Sequence, residues 1–242
     1  MFAQPRRFLT ARWLNLAMLN YEVDPDLLAP HVPSGTVLDR FDGRCFVSMV
    51  GFSFAGTRVL GVPIPFHRSF DEVNLRFYVR RETAEGPLRG VVFLKEIVPR
   101  RAIAWLARRL YGENYVALPM KRRDDLGSSW RRSIAYEWLH GGRWHSLALS
   151  IDGSPHTPTE GSQESFITEH SRGYARQPDG STLEYRVEHP PWRVWRAPQA
   201  ELDCDVAALY GADFADFVSA TPASAFLAEG SPVSVRFPVV LP

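Results

Sequence analysis

Glu72, Asn74, Arg76 and Tyr78 stand at every second position of the segment 69–80, offering a carboxylate, an amide, a guanidinium and a phenol. Side chains two apart on a β-strand share a face, so this spacing lines the four up on one wall. The alternate positions Val73, Leu75, Phe77 and Val79 form the opposite, dry face. A solvated strand face is normally built of Lys, Glu, Thr and Ser, whereas this set is the inventory of a polar pocket. Arg76 can grip a carboxylate through two parallel N–H bonds. Glu72 shares its face but lies too far along the strand for an ideal direct contact, so a ligand or a neighbouring strand must fill the gap. Lys95 and Glu96 interrupt the apolar run 91–98. One of them is expected to face inward and pair with Arg76 or Glu72, either as a structural ion pair or as a preorganised holder of a small polar ligand. Glu169, His170 and Tyr174 offer a second wall, with Glu169 a base if desolvated and His170 active near neutrality.

Positioning such walls takes a sheet. Apolar or alternating stretches predict strands at 13–20, 36–39, 45–54, 69–80, 91–98, 115–123, 130–139, 144–151 and 231–239, with two more around Tyr174 and Tyr185. Asp42-Gly43 reads as a hairpin turn and Gly51 as a bulge or a point of close approach. Asp24 can cap a short helix whose first residue is Pro25. The best helix spans 99–111, where Ala102, Ile103, Leu106, Ala107 and Leu110 share one arc and Arg100, Arg101 and Arg108 another, solvated one. Further helices are expected at 162–168 and 204–218. His189-Pro190-Pro191-Trp192 reads as an extended edge segment with Trp192 packed on the sheet. With no internal repeat and no low-complexity linker, 1–242 reads as a single α+β domain dominated by antiparallel sheet.

The bulk properties narrow the function. A hydrophobic content of 45% with 23% charged residues suits a chain with a sizeable core, and a net charge of +1 gives nucleic acid no electrostatic hold. No uncharged apolar run is long enough to span a bilayer, and the first thirteen residues lack the apolar core of a signal peptide. A cytoplasmic location is expected, with Cys45 and Cys204 as buried free thiols. The histidines lack metal-ligand spacing, and Walker, dinucleotide and nucleophile-elbow motifs are absent. Neither metal nor cofactor is expected.

The segment 71–79, with Val23-Asp24-Pro25, Phe41-Asp42-Gly43, the run 107–111, Tyr115, Thr168-Glu169-His170 and His189-Pro190-Pro191-Trp192, resembles the YqjF-like family of bacterial proteins. The resemblance is a chain-wide pattern over roughly 10–200, and this family is more remotely similar to acetoacetate decarboxylase. It implies an antiparallel sheet closed into a cone-like barrel with a few peripheral helices. It also sets Glu72 where the decarboxylase has an active-site glutamate. The run 111–122 resembles the decarboxylase's turn and Pro-Lys-Lys, whose first lysine forms an imine with substrate. Aligned on Pro119, Met120 takes the imine-forming position and Lys121 that of the neighbouring lysine. Successive strand residues point to opposite faces, so Lys121 reaches a cavity lined by Met120 only through a one-residue bulge. The expected site thus comprises Lys121 and Glu72 as catalytic groups, with Asn74, Arg76, Tyr78, Tyr115, Met120 and Glu169 as ligand contacts. Its partner would be a small carboxylate or keto acid, and a homodimer through a strand edge is compatible with the chain. Two functions follow: a ligand-binding protein that has lost the imine lysine, favoured by Met120, or a lyase of acetoacetate decarboxylase type.

Overall fold

A computed structural model describes residues 5–126, 131–218 and 221–241. Seven strands carry the main sheet: β1 (Arg7–Val23), β2 (Cys45–Val59), β3 (Phe70–Arg81), β4 (Leu88–Val98), β5 (Arg172–Arg176), β6 (Thr182–Glu188) and β7 (Ser224–Arg236). Their hydrogen-bonded order is β7-β1-β2-β3-β4-β5-β6, and β6 pairs back onto β7 at Val187↔Val235 and Glu188↔Ser234. The circuit of pairings therefore returns to its start. All these pairs are antiparallel except β4 with β5, which meet in parallel at Val91↔Gly173. A second, four-stranded antiparallel sheet contains Met120–Leu126, Arg131–His140, Arg143–Asp152 and Gln199–Asp203.

The second sheet lies against one face of the first. Val73, Leu75, Phe77 and Val79 of β3 join Ile134, Tyr136, Trp138, Leu147, Leu149 and Ile151 in one apolar core. The other face of β3 turns toward a separate cluster that includes Tyr78, Phe46, Phe52 and Phe166. Both faces of the strand are thus buried from Glu72 to Val79, so its polar residues look into protein rather than into solvent.

Local chemistry sets the elements around this frame. Helix α1 (Pro25–Leu28) starts where the Asp24 side chain accepts from the Asp26 amide at 2.9 Å, with proline at its first position. Helix α2 (Arg101–Tyr111) ends at Gly112, whose φ of 67° is left-handed and costs glycine little. Helix α3 (Gln163–Thr168) is capped by the Ser162 hydroxyl. Two expectations need correction. The stretch 115–123 is not one strand: Tyr115–Ala117 pairs with β4, and the chain crosses to the second sheet at Pro119, which has no amide hydrogen to continue the ladder. The helix expected at 204–218 is broken at Gly211, whose φ of 110° and ψ of 154° are not helical. Val206–Tyr210 precedes the break, and a 3-10 turn and the short helix Ala215–Val218 follow it.

Gly51 marks a close approach of the sheets, since a Cβ there would lie 2.5 Å from the ring of Tyr136. Gly51→Ala is expected to destabilise the fold by about 1–3 kcal/mol, as overpacking of a filled core does, measured by urea unfolding.

Candidate functional site

Register places the polar face of β3. Phe52 of β2 stands opposite Glu72, and Asn74 stands opposite Glu96 of β4. Glu96 in turn lies beside Tyr115 on the short parallel strand Tyr115–Ala117. Between Leu75 and Arg76 the β3–β4 register slips, because Leu75 pairs with Lys95 and Arg76 with Phe93. The extra residue on β4 is a β-bulge, and it reverses the parity of the strand beyond it. Val91 and Phe93 face the same way as Arg76, and Glu96 rather than Lys95 is the next to do so. Lys95 is turned to the other side, where its ammonium donates to the Leu209 carbonyl and lies 5.7 Å from the Tyr210 ring centre.

These side chains meet at a cavity of about 140 Å³, to which every one of the seven circuit strands contributes a lining residue. Its apolar wall includes Trp13, Phe52, Phe54 and Phe70, and Ile103, Leu106 and Tyr111 of α2 line it as well. A volume on the order of 150 Å³ accepts a benzene-sized molecule. The polar wall holds Glu72, Asn74, Arg76, Glu96, Glu113, Tyr115 and His170.

The hydrogen bonding on that wall is incomplete. Asn74 Nδ2 donates to Glu72 Oε1 at 3.1 Å, and the Tyr115 hydroxyl donates to Glu72 Oε2 at 3.2 Å. The Tyr185 hydroxyl donates to Glu113 Oε1 at 2.8 Å. Arg76, 8% exposed, forms no ion pair with any described residue, and its Nη2 reaches the Ile167 carbonyl only at 3.5 Å. Arg76 Nε, Asn74 Oδ1, Glu96 Oε2 and His170 Nδ1 are buried without any partner. Buried polar atoms are nearly always satisfied, and these four, with Trp13 Nε1 as a fifth among the described residues lining the cavity, depart from that pattern.

The electrostatics follow from burial. Glu72 is pushed up to about 7 by desolvation, which outweighs the hydrogen bonds from Asn74 and Tyr115 and the nearby Arg76 charge. Glu113 is pushed up to about 8 by burial and the charge of Glu72. Glu96 is raised well above the carboxylate range by burial, then by Glu113 and Glu72. His170 is lowered to about 4 by burial, against the pull of Asp39. Burial would raise Asp39, but hydrogen bonds with His170 and Arg89 hold it at about 2, so it is ionised and can only accept. His170 Nε2, 3.0 Å from Asp39 Oδ2, therefore carries the proton, leaving Nδ1 as a bare acceptor.

Glu72, Asn74 and Arg76 are brought together as the strand pattern implies, and Tyr115, expected from the resemblance, joins them. Tyr78 stands behind the wall, with its ring 4.7 Å from that of His170 and its hydroxyl on Ser48. Met120 packs into the core between the sheets. Lys121 lies on the second sheet, away from the cavity, with Nζ 3.0 Å from Glu137 Oε2 and 4.1 Å from the Trp144 ring centre. No bulge in the Met120–Leu126 ladder turns it inward. Glu169 is exposed and accepts from the Ser165 hydroxyl at 2.7 Å, so its neighbour His170 provides the second wall. Tyr174 bonds the Leu88 carbonyl and lies outside the cavity. Glu113 was not among the candidates. Its one signal is that it alternates with Tyr115 directly after the helix-ending Gly112.

A family model described as an uncharacterized conserved protein, DUF2071, matches residues 10–232. The chain belongs to this family. It is 28% identical over 195 residues to the uncharacterized protein YqjF of Bacillus subtilis (strain 168), covering 78% of this chain and 76% of that one. Among solved structures, the fold is similar to the enduracididine biosynthesis enzyme MppR complexed with pyruvate, at 14% identity and a TM-score of 0.70, covering 100% of this chain and 92% of that one. Acetoacetate decarboxylase from Legionella pneumophila is also similar, at 14% identity and a TM-score of 0.64, covering 99% and 88%. The fold is acetoacetate decarboxylase-like. The chain has only two lysines, Lys95 and Lys121, and neither lines the cavity.

The carboxyl trio fixes a sign for stability against pH. A carboxyl raised in the folded state binds its proton more tightly there, so its contribution is present below the unfolded value and is lost as pH rises through the folded one. His170, lowered on folding, costs stability only as pH falls below about 6.5. Stability is therefore expected to fall between pH 6.5 and 8, and Glu113→Gln should flatten that slope, measured by thermal unfolding across the range.

Proposed function

We propose that this chain binds a small carboxylate or keto acid inside a cone-like barrel formed by the closed strand circuit, with Arg76 holding the ligand's carboxylate. The observation that carries this reading is the buried guanidinium of Arg76, which has no ion pair among the described residues. A buried charge is costly unless paired, and a planar carboxylate matches the guanidinium fork. His170 Nδ1, neutral and bare, would accept from a ligand hydroxyl, and the aromatic wall would cover the carbon skeleton. The fold neighbour that holds pyruvate supports a ligand of this size. With no lysine on the cavity wall, the ligand would be held without an imine bond. The proposed setting is the cytoplasm, without nucleic acid or membrane as partner.

Two measurements test this reading. Pyruvate or acetoacetate should bind in calorimetric titration, and Arg76→Gln should weaken binding by roughly 10–100-fold, the size of one charge-assisted pair. Affinity should fall as pH rises through about 7, since ionised Glu72 repels an incoming anion. Borohydride treatment with either acid should leave no adduct in peptide mass spectra. An adduct mapped to Lys121 would instead favour the lyase of acetoacetate decarboxylase type.

A further inference from the structure

Among the described residues, Glu72 and Glu96 are the only cavity carboxyls on directly paired strands of the circuit, and they are placed differently. Both oxygens of Glu72 are held, by Asn74 and by Tyr115, which fixes the plane of its carboxyl group. Glu96 Oε2 has no partner. Because Asn74 pairs with Glu96, Glu72 is its diagonal neighbour across β3 and β4. Such neighbours stand roughly 7–8 Å apart at the backbone. Arg76 lies four residues from Glu72 along the same face, which is roughly 13 Å of strand. The cavity of about 140 Å³ between them is the space a ligand would fill.

We propose that the cavity catalyses keto–enol interconversion of a bound 2-oxo acid without lysine, with Glu72 as base and Glu96 as acid. The proposal rests on the reading that such an acid binds with its carboxylate on Arg76. That anchoring puts the carbon beyond the carbonyl at the Glu72 end of the cavity. Glu72 takes a proton from that carbon, and the C–H electron pair becomes the new C=C bond. The carbonyl π pair moves onto oxygen, which takes the proton of the Glu96 carboxyl. The products are an enol, a protonated Glu72 and an ionised Glu96. The reverse reaction, after the carboxyls exchange with solvent, returns a solvent hydrogen to carbon. No oxidant, metal or leaving group is required. Burial supports the division of roles, since it sets Glu72 at about 7 and raises Glu96 well above the carboxylate range. The surrounding phenylalanines and Trp13 limit water around the intermediate.

Deuterium exchange tests this. The full chain is incubated with pyruvate in D₂O, and loss of the methyl signal is followed by proton NMR, with saturation-transfer spectra of the same samples reporting binding. Exchange above the buffer rate is expected, reduced about 100-fold or more in Glu72→Gln and in Glu96→Gln and unchanged in Lys121→Ala. The rate per bound ligand in the unmodified chain should rise with pH through about 7. Pyruvate that binds without exchanging overturns the proposal and leaves the binding reading intact. Pyruvate that does not bind overturns both. Exchange lost in Lys121→Ala, or a flat pH profile, overturns the assignment to the two carboxyls.

Discussion

The slipped register between β3 and β4 decides which charges share the cavity. With a regular ladder, the alternation that turns Val91 and Phe93 inward would bring Lys95 in next, and a lysine beside Glu72 would make an ordinary buried ion pair. The extra residue on β4 sends Lys95 to the far side and brings Glu96 in opposite Asn74. The wall therefore gathers Glu72, Glu96 and Glu113 with Arg76, while the second guanidinium of the lining, Arg172, is paired with Glu184. Carboxyls so crowded and so dry cannot all ionise, and they retain protons instead. Proton-holding groups beside one uncommitted cation are a consequence of strand geometry more than of composition.

The rest of the fold keeps that arrangement rigid. The polar face belongs to a strand buried on both sides, its back packed on the second sheet and its front on the cavity. Side chains on such a strand have little freedom, which favours a preorganised site over one carried on loops. His170 is fixed from outside the circuit by Asp39, itself held by Arg89 at 2.6 Å, so its tautomer is set by a charged network rather than by the ligand. Stored cost is evident in the open polar atoms of residues that line the cavity, where the structure departs from complete hydrogen bonding.

Neither lysine lines the cavity of this acetoacetate decarboxylase-like fold. Lys121 stands two residues after Pro119, where the resemblance sets the neighbouring lysine and Met120 the imine-forming one, yet Pro119 is where the chain leaves the first sheet for the second. The residues after it belong to a ladder that packs on the back of the circuit. Fold similarity at 14% identity conveys the frame, and the chemistry depends on which residues that frame turns inward.

The sequence by itself determined the properties that are local. Period-two alternation put Glu72, Asn74, Arg76 and Tyr78 on one face, Asp24 and Pro25 started a helix, and an isolated glycine at 51 signalled a close approach. The chain-wide pattern gave the family. What only the tertiary structure decided is non-local: which face of β3 met the second sheet, that Glu96 rather than Lys95 entered the cavity, that Glu113 joined them, and that Lys121 and Glu169 stayed outside. The physical reason is parity. A side chain's face is fixed by its own strand's alternation only until a bulge or a change of sheet resets it. Those resets are set by hydrogen bonds to partners far away in sequence, which a single strand's pattern does not encode.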